Sequence, residues 1–181
     1  MMYSLPETEY FGVKLMFQDE AGFGRINKPK YCWAPKDVRP TVPSLHIREY
    51  RYVYGAIEPL TGDSFFAMLP YSDSTCMNVF LEKLSEEFPN DLILLVCDRA
   101  TWHTTSKLNL PDNIRLLFLP PATPEMNPIE QIWKEIRTRG FRNEIFASLD
   151  KVVQRLEDTV KSLTNNIIMS ISCRSYMYEC F

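Results

Sequence analysis

The segment Leu92 to Cys97 (LILLVC) is six apolar residues in a row, with no polar face. A strand buried on both sides needs cover above and below, and in a single domain that cover is helical. The segment therefore reads as the central strand of an α/β sheet. A chain of 181 residues, 45% of them hydrophobic, has material for one such domain with a short extension. That composition excludes a disordered chain. No run approaches the roughly eighteen apolar residues of a membrane span, so no membrane partner is expected. Met1 to Tyr10 carries Glu7 and Glu9 without Lys or Arg, which is not a secretory signal.

The remaining elements arrange themselves around this strand. Val13 to Phe17 reads as a buried strand closed by Gln18-Asp19-Glu20 and a Gly22/Gly24 turn. Residues 25–46 hold Pro29, Pro35, Pro40 and Pro43 and read as a long irregular loop. Tyr50 to Ile57 and Ser64 to Leu69 flank a turn at Glu58–Asp63 and predict a hairpin. Ser72 or Asp73 caps a helix with Met77, Phe80, Leu81, Leu84 and Phe88 at helical spacing. A short helix is expected over Thr101–Leu108, a strand over Ile114–Leu119, and a helix from Pro124 or Asn127 to about Arg139. Ser148 opens a last helix, and from Thr164 onward no period is visible. The order predicts a mixed five-stranded sheet flanked by helices, the element order of the ribonuclease-H-like fold.

In such a sheet, polar groups at the ends of the central strands form the natural site. Asp19 closes the first strand in this reading, Asp98 the fourth, and Glu130 lies in the first turn of the helix after Pro128. Carboxylates gathered in one place repel unless a cation lies between them. Five scattered cysteines without a C-x-x-C pair, and only His46 and His103, leave little for a transition metal. An all-oxygen set suits hard divalent ions, a pair of which supports in-line phosphoryl displacement. Each acid also has a plainer reading. Asp19 suits an Asx-turn, Asp98 a helix cap, and Glu130 the third position of a capping box opened by Asn127.

Net charge is −3, but Arg25 to Arg51 holds seven cations against Asp37 and Glu49. This basic stretch fits either a polyanion contact or a solvated loop.

The local sequences carry a further signal. QDEAGF (18–23), WAPKDVRP (33–40), LLVCDRATWHTTSKL (94–108) and above all IRLLFLPPATPEMNPIEQIWKEIR (114–137) resemble the DDE transposase domain of the IS630 branch of the IS630/Tc1/mariner superfamily. The resemblance covers about residues 12–165, leaving residues 1–11 as a lead-in and 166–181 as a tail. It implies a ribonuclease-H-like fold and an acidic triad of Asp19, Asp98 and Glu130 holding two Mg²⁺ or Mn²⁺ ions. It further implies cleavage of DNA at transposon ends and strand transfer to target DNA, in the cytoplasm of a bacterium or archaeon at its nucleoid. Glu20 is expected to point away from Asp19.

Candidate phosphate contacts are Lys134 and Arg137, which share a helix face with Glu130, His103 in the D-x-A-x-x-H stretch, and Arg25, Lys28 and Lys30 of the basic loop. For Lys134 the alternative is an ion pair with Glu130, and for His103 it is packing at a helix start. The loop at 25–43 resembles a clamp reaching a partner subunit, so a homodimer is expected, with Trp33 either an anchor or a core cap. Arg99 stands where the family commonly has Asn. Helix-turn-helix recognition modules are expected to be absent from the chain, with recognition of the ends either lacking or supplied by a separate polypeptide. The alternative reading is a decayed or domesticated element acting only in DNA binding or dimerisation.

Overall fold

The computed structural model describes residues 10–26, 30–42, 44–100, 107–121 and 123–173. Five strands form one sheet: β1 (Gly12–Gly24), β2 (Tyr50–Ile57), β3 (Ser64–Leu69), β4 (Asp91–Cys97) and β5 (Ile114–Phe118). Their spatial order is β3-β2-β1-β4-β5. The hairpin strands pair antiparallel with β1 and with each other, whereas β1/β4 and β4/β5 are parallel. Among the described residues, four helices cover the sheet: α1 (Ser74–Glu87), α2 (Ile129–Gly140), α3 (Leu149–Lys161) and α4 (Asn165–Ser172).

The double burial expected of β4 is realised, with Leu92, Ile93, Leu95, Val96 and Cys97 all buried. Strand alternation sorts the sheet residues into two cores. Met16, Tyr54, Ile93, Leu95 and Ile114 pack against Met77, Phe80, Leu81 and Leu84 of α1. On the opposite face, Ala21, Phe23, Val53 and Ile57 pack against α2, α3 and Ile168 of α4. Asp73 is the α1 cap, its carboxylate accepting from Cys76 N at 2.8 Å.

Three expectations about elements need correction. First, β1 does not stop at Phe17 but runs thirteen residues to Gly24. Gly22 and Gly24 are strand positions opposite Tyr52 and Tyr50, and a side chain on Gly24 would run into the Tyr50 ring. Gly24 yields space to a cross-strand tyrosine, and neither glycine turns the chain. Second, the tail supplies α4, whose Ile168 is buried and whose Ile167 and Ile171 pack on the same core. Two helical turns are too few to show a period. Third, α2 starts at Ile129 with Pro128 as its cap and no side-chain cap bond, after a short 3-10 turn at Pro124–Met126. The helix expected from Thr101 falls largely outside the described residues, and Lys107 and Leu108 are not helical.

Candidate active site

The site arises where β1 and β4 part company. Their parallel pairing ends at Phe17↔Val96, while β1 continues paired with β2 alone. Asp19 and Asp98 each stand two residues past this last rung. Asp19 is thus inside a strand, opposite Gly55, and is a terminal residue only on the β4 side. Alternation puts it on the face of Phe17, Ala21 and Phe23. Glu20 takes the other face, where it accepts from Gln18 Nε2 at 3.0 Å. Asp98 follows the last residue of β4, and its Oδ1 accepts from Ala100 N at 2.9 Å, an Asx turn that ends the strand.

The third acid arrives on α2. Asn127 anchors this approach: its side-chain amide donates to the Gln18 carbonyl at 2.9 Å, with both groups buried. Its Oδ1 lies 3.4 Å from Ile129 N, so the expected capping role is minor beside the bridge to β1. The first turn of α2 then brings Glu130 to the site. Asp19, Asp98 and Glu130 line one cleft of about 430 Å³, together with Arg99, Thr123 and Asn127, walled by Leu119–Pro121. Among the described residues, no three acidic, histidine or cysteine side chains stand close enough to hold one ion together. The acids share a cleft without converging on a point.

Burial pushes the Asp19 carboxyl up to about 7, with the negative charges of Glu20 and Glu130 adding to the effect and the Trp133 hydrogen bond opposing it. Trp133 is buried in the core face of α2, which it shares at helical spacing with Ile129, Ile132 and Ile136, and its Nε1 also donates to Asp19 Oδ2 at 2.9 Å. Arg137 lies with its guanidinium 4.9 Å from the Phe23 ring centroid. Burial lowers its pKa, and Glu130 and Asp19 raise it, so it feels both acids. Lys134 is exposed and reaches Gln131 Oε1 at 3.4 Å.

The basic loop is tied to the rest of the chain at two of its cations. Arg25 is committed internally, donating to the Phe146 carbonyl at 3.0 Å and to Glu49 at 2.9 Å. Lys30 is tied by its backbone to Asn143, at 2.7 Å and 3.1 Å. Tyr31 and Trp33 are fully exposed, at 98% and 101%; Trp33 therefore caps no core in this chain. Lys28 and His103 lie outside the described residues. Gly55 and the polar roles of Asn127 and Trp133 were not legible beforehand. A glycine within the aromatic strand YRYVYGAI is the one local sign, since it marks a close approach.

Residues 14–153 match the family model of the DDE superfamily endonucleases. The chain belongs to this family. A curated relative, the uncharacterized protein y4pE/y4sA of Sinorhizobium fredii (strain NBRC 101917 / NGR234), is 35% identical over 133 residues, covering 72% of this chain and 98% of that protein. Among solved structures, this DDE endonuclease domain is similar to the Mos1 transposase paired-end complex with left transposon end, at TM-score 0.67 and 14% identity over 88% of the chain. The catalytic domain of Mos1 mariner transposase matches at TM-score 0.60 and 11% identity, covering 87% of this chain and 74% of that one. The fold is accordingly ribonuclease-H-like. The chain spans 51% of the Mos1 chain in the paired-end complex, about half its length. Among the described residues of the endonuclease domain, no helix is long and apolar enough to cross a membrane.

Proposed function

We propose that this DDE endonuclease domain cleaves DNA at transposon ends and transfers the strands to target DNA, with Asp19, Asp98 and Glu130 as its catalytic and metal-holding acids. The observation that carries the reading is their shared cleft at the divergence of β1 and β4. The motif from Leu119 to Trp133 supports placement in the IS630 branch.

The donor set fits Mg²⁺ or Mn²⁺. All three side chains offer hard oxygen, and Asp19 carries the electrostatic cost of neighbouring negative charge that a cation would relieve. Mos1 mariner paired-end complexes are known with Mn and with Mg, which supports the same ions here. Such ions, when bound, would supply activation of an attacking oxygen and stabilisation of a leaving oxygen in an in-line displacement. Asp19, Asp98 and Glu130, which share the cleft, would hold these ions. Arg99 lines the cleft, and Arg137 and Lys134 lie on the helix of Glu130; these three hold the DNA phosphates next to the acids. The exposed Tyr31 and Trp33 of the basic loop reach a second copy of the chain, forming a homodimer.

The test is nicking of supercoiled plasmid with Mg²⁺ or Mn²⁺, comparing wild type with Asp19→Ala and Glu130→Gln. Metal-dependent nicking by the wild type, lost in both variants, is expected. Equal nicking by wild type and Glu130→Gln removes Glu130 from the mechanism. The second reading, a module that binds DNA without cutting it, is favoured by Arg99, a cation already beside the acids; retained DNA binding with no nicking would select it.

A further inference from the structure

Resting on the reading above, we infer that Trp133 is a positioning residue for Asp19, its indole N–H fixing the carboxylate that faces the cleft. Trp133 is 1% exposed, and a buried indole N–H requires an acceptor. It takes a side chain of the candidate site, Asp19 Oδ2, at 2.9 Å. The indole is braced edge-on by Phe23 and Phe66, with ring centroids 6.4 and 6.1 Å away. Gly55, paired directly with Asp19 across β1/β2, makes the approach possible. A Cβ there would stand 2.7 Å from Trp133 Cη2 and 2.9 Å from both Ile129 Cδ1 and Phe66 Cε1.

The chemistry of the donor matters. A carboxylate has about four lone-pair sites, and the indole occupies one while adding no charge. A lysine or arginine in its place would compete with a divalent cation, whereas the neutral N–H orients the carboxylate and leaves its charge available. Glu130 and Trp133 are one helical turn apart on α2. The same turn therefore delivers one acid and orients another, setting their relative placement through a single rigid element.

A purely structural role predicts that any ring of the same shape suffices. The discriminating variant replaces Trp133 with benzothienylalanine, an isostere that exchanges the N–H for sulfur; Trp133→Phe is the conventional counterpart, and Ile136→Val controls for packing loss on the same helix. Mn²⁺ binding is read from the electron paramagnetic resonance signal of the free ion. Loss of the N–H is expected to weaken Mn²⁺ binding about ten- to a hundredfold, with Ile136→Val within about twofold of wild type. Benzothienylalanine protein that binds Mn²⁺ as tightly as wild type overturns this inference alone. Wild-type protein that binds no Mn²⁺ overturns the metal-dependent function and this inference with it.

Discussion

The side-chain amide of Asn127 donates to the main-chain carbonyl of Gln18 at 2.9 Å, one residue before Asp19. Beyond Phe17, β1 no longer pairs with β4, and Asn127 supplies a donor to this buried stretch of backbone. Asn127→Asp replaces that donor with an acceptor facing a carbonyl. The expected cost is about 2–3 kcal/mol of stability, measured by urea denaturation, with nicking reduced by more than the stability loss because Glu130 shifts as well. Stability within error of wild type would show the bridge to be dispensable.

Asp19 makes the metal-free protein sensitive to pH. Its carboxyl is raised from 3.8 to about 7, chiefly by burial. Between those values the native state holds a proton that the unfolded chain has released, so stability falls as pH rises through this window. Asp19→Asn keeps an acceptor for Trp133 and removes the penalty. At pH 8 without divalent ions it should be more stable than wild type, by up to about 4 kcal/mol, and the difference should vanish below pH ~4. Mn²⁺ should raise the Tm of the wild type and leave Asp19→Asn unmoved. Thermal melts across pH, with and without Mn²⁺, check both statements.

Gly55→Ala places a methyl against Trp133, Ile129 and Phe66. Overpacking of this kind costs about 1–3 kcal/mol. Because the added carbon presses on the indole, the variant should also bind Mn²⁺ less tightly than its stability alone explains. Differential scanning calorimetry and a Mn²⁺ titration separate the two effects.

At the other end of β1, Lys14 lies 2.6 Å from Asp63 and 3.3 Å from the buried Glu58. Burial lowers the lysine pKa, but the hydrogen bond to Asp63 and the charge of Glu58 outweigh it and the net shift is upward. The resulting stabilisation is complete below the ordinary lysine value of about 10.4 and is lost as pH climbs through the raised native one. Lys14→Met strands Glu58 without its cation and should cost about 2–4 kcal/mol at pH 7. That loss should narrow above pH ~10.5, as followed by chemical denaturation.

Legibility in the sequence tracked how local each signal was. The run Leu92–Cys97, the hairpin around Glu58–Asp63 and the Asp73 cap are written in neighbouring residues, and the structure has them where expected. The full reach of β1 is not, because Gly22 and Gly24 look like a turn until Tyr50 and Tyr52 are set opposite them. The residue types of the acids were evident from the motif, but their shared cleft depends on the β1/β4 register, which no local pattern encodes. Trp133 announced its burial through helical spacing. Its N–H bond to a residue 114 positions away and the gap left by Gly55 are tertiary facts.

The long β1 strand has a mechanical consequence. Asp19 is bolted into a ribbon laced to β2 on one side, with Trp133 beneath it, whereas Asp98 stands one step past the last rung of β4 and Glu130 at the threshold of a helix. Asp19 and Glu130 are thus tied to one another through Trp133, and Asp98 is the acid that stands beyond its ladder. Under the proposed function, tightening around a small cation would be a matter of re-aiming the β4 terminus, leaving the sheet itself undisturbed.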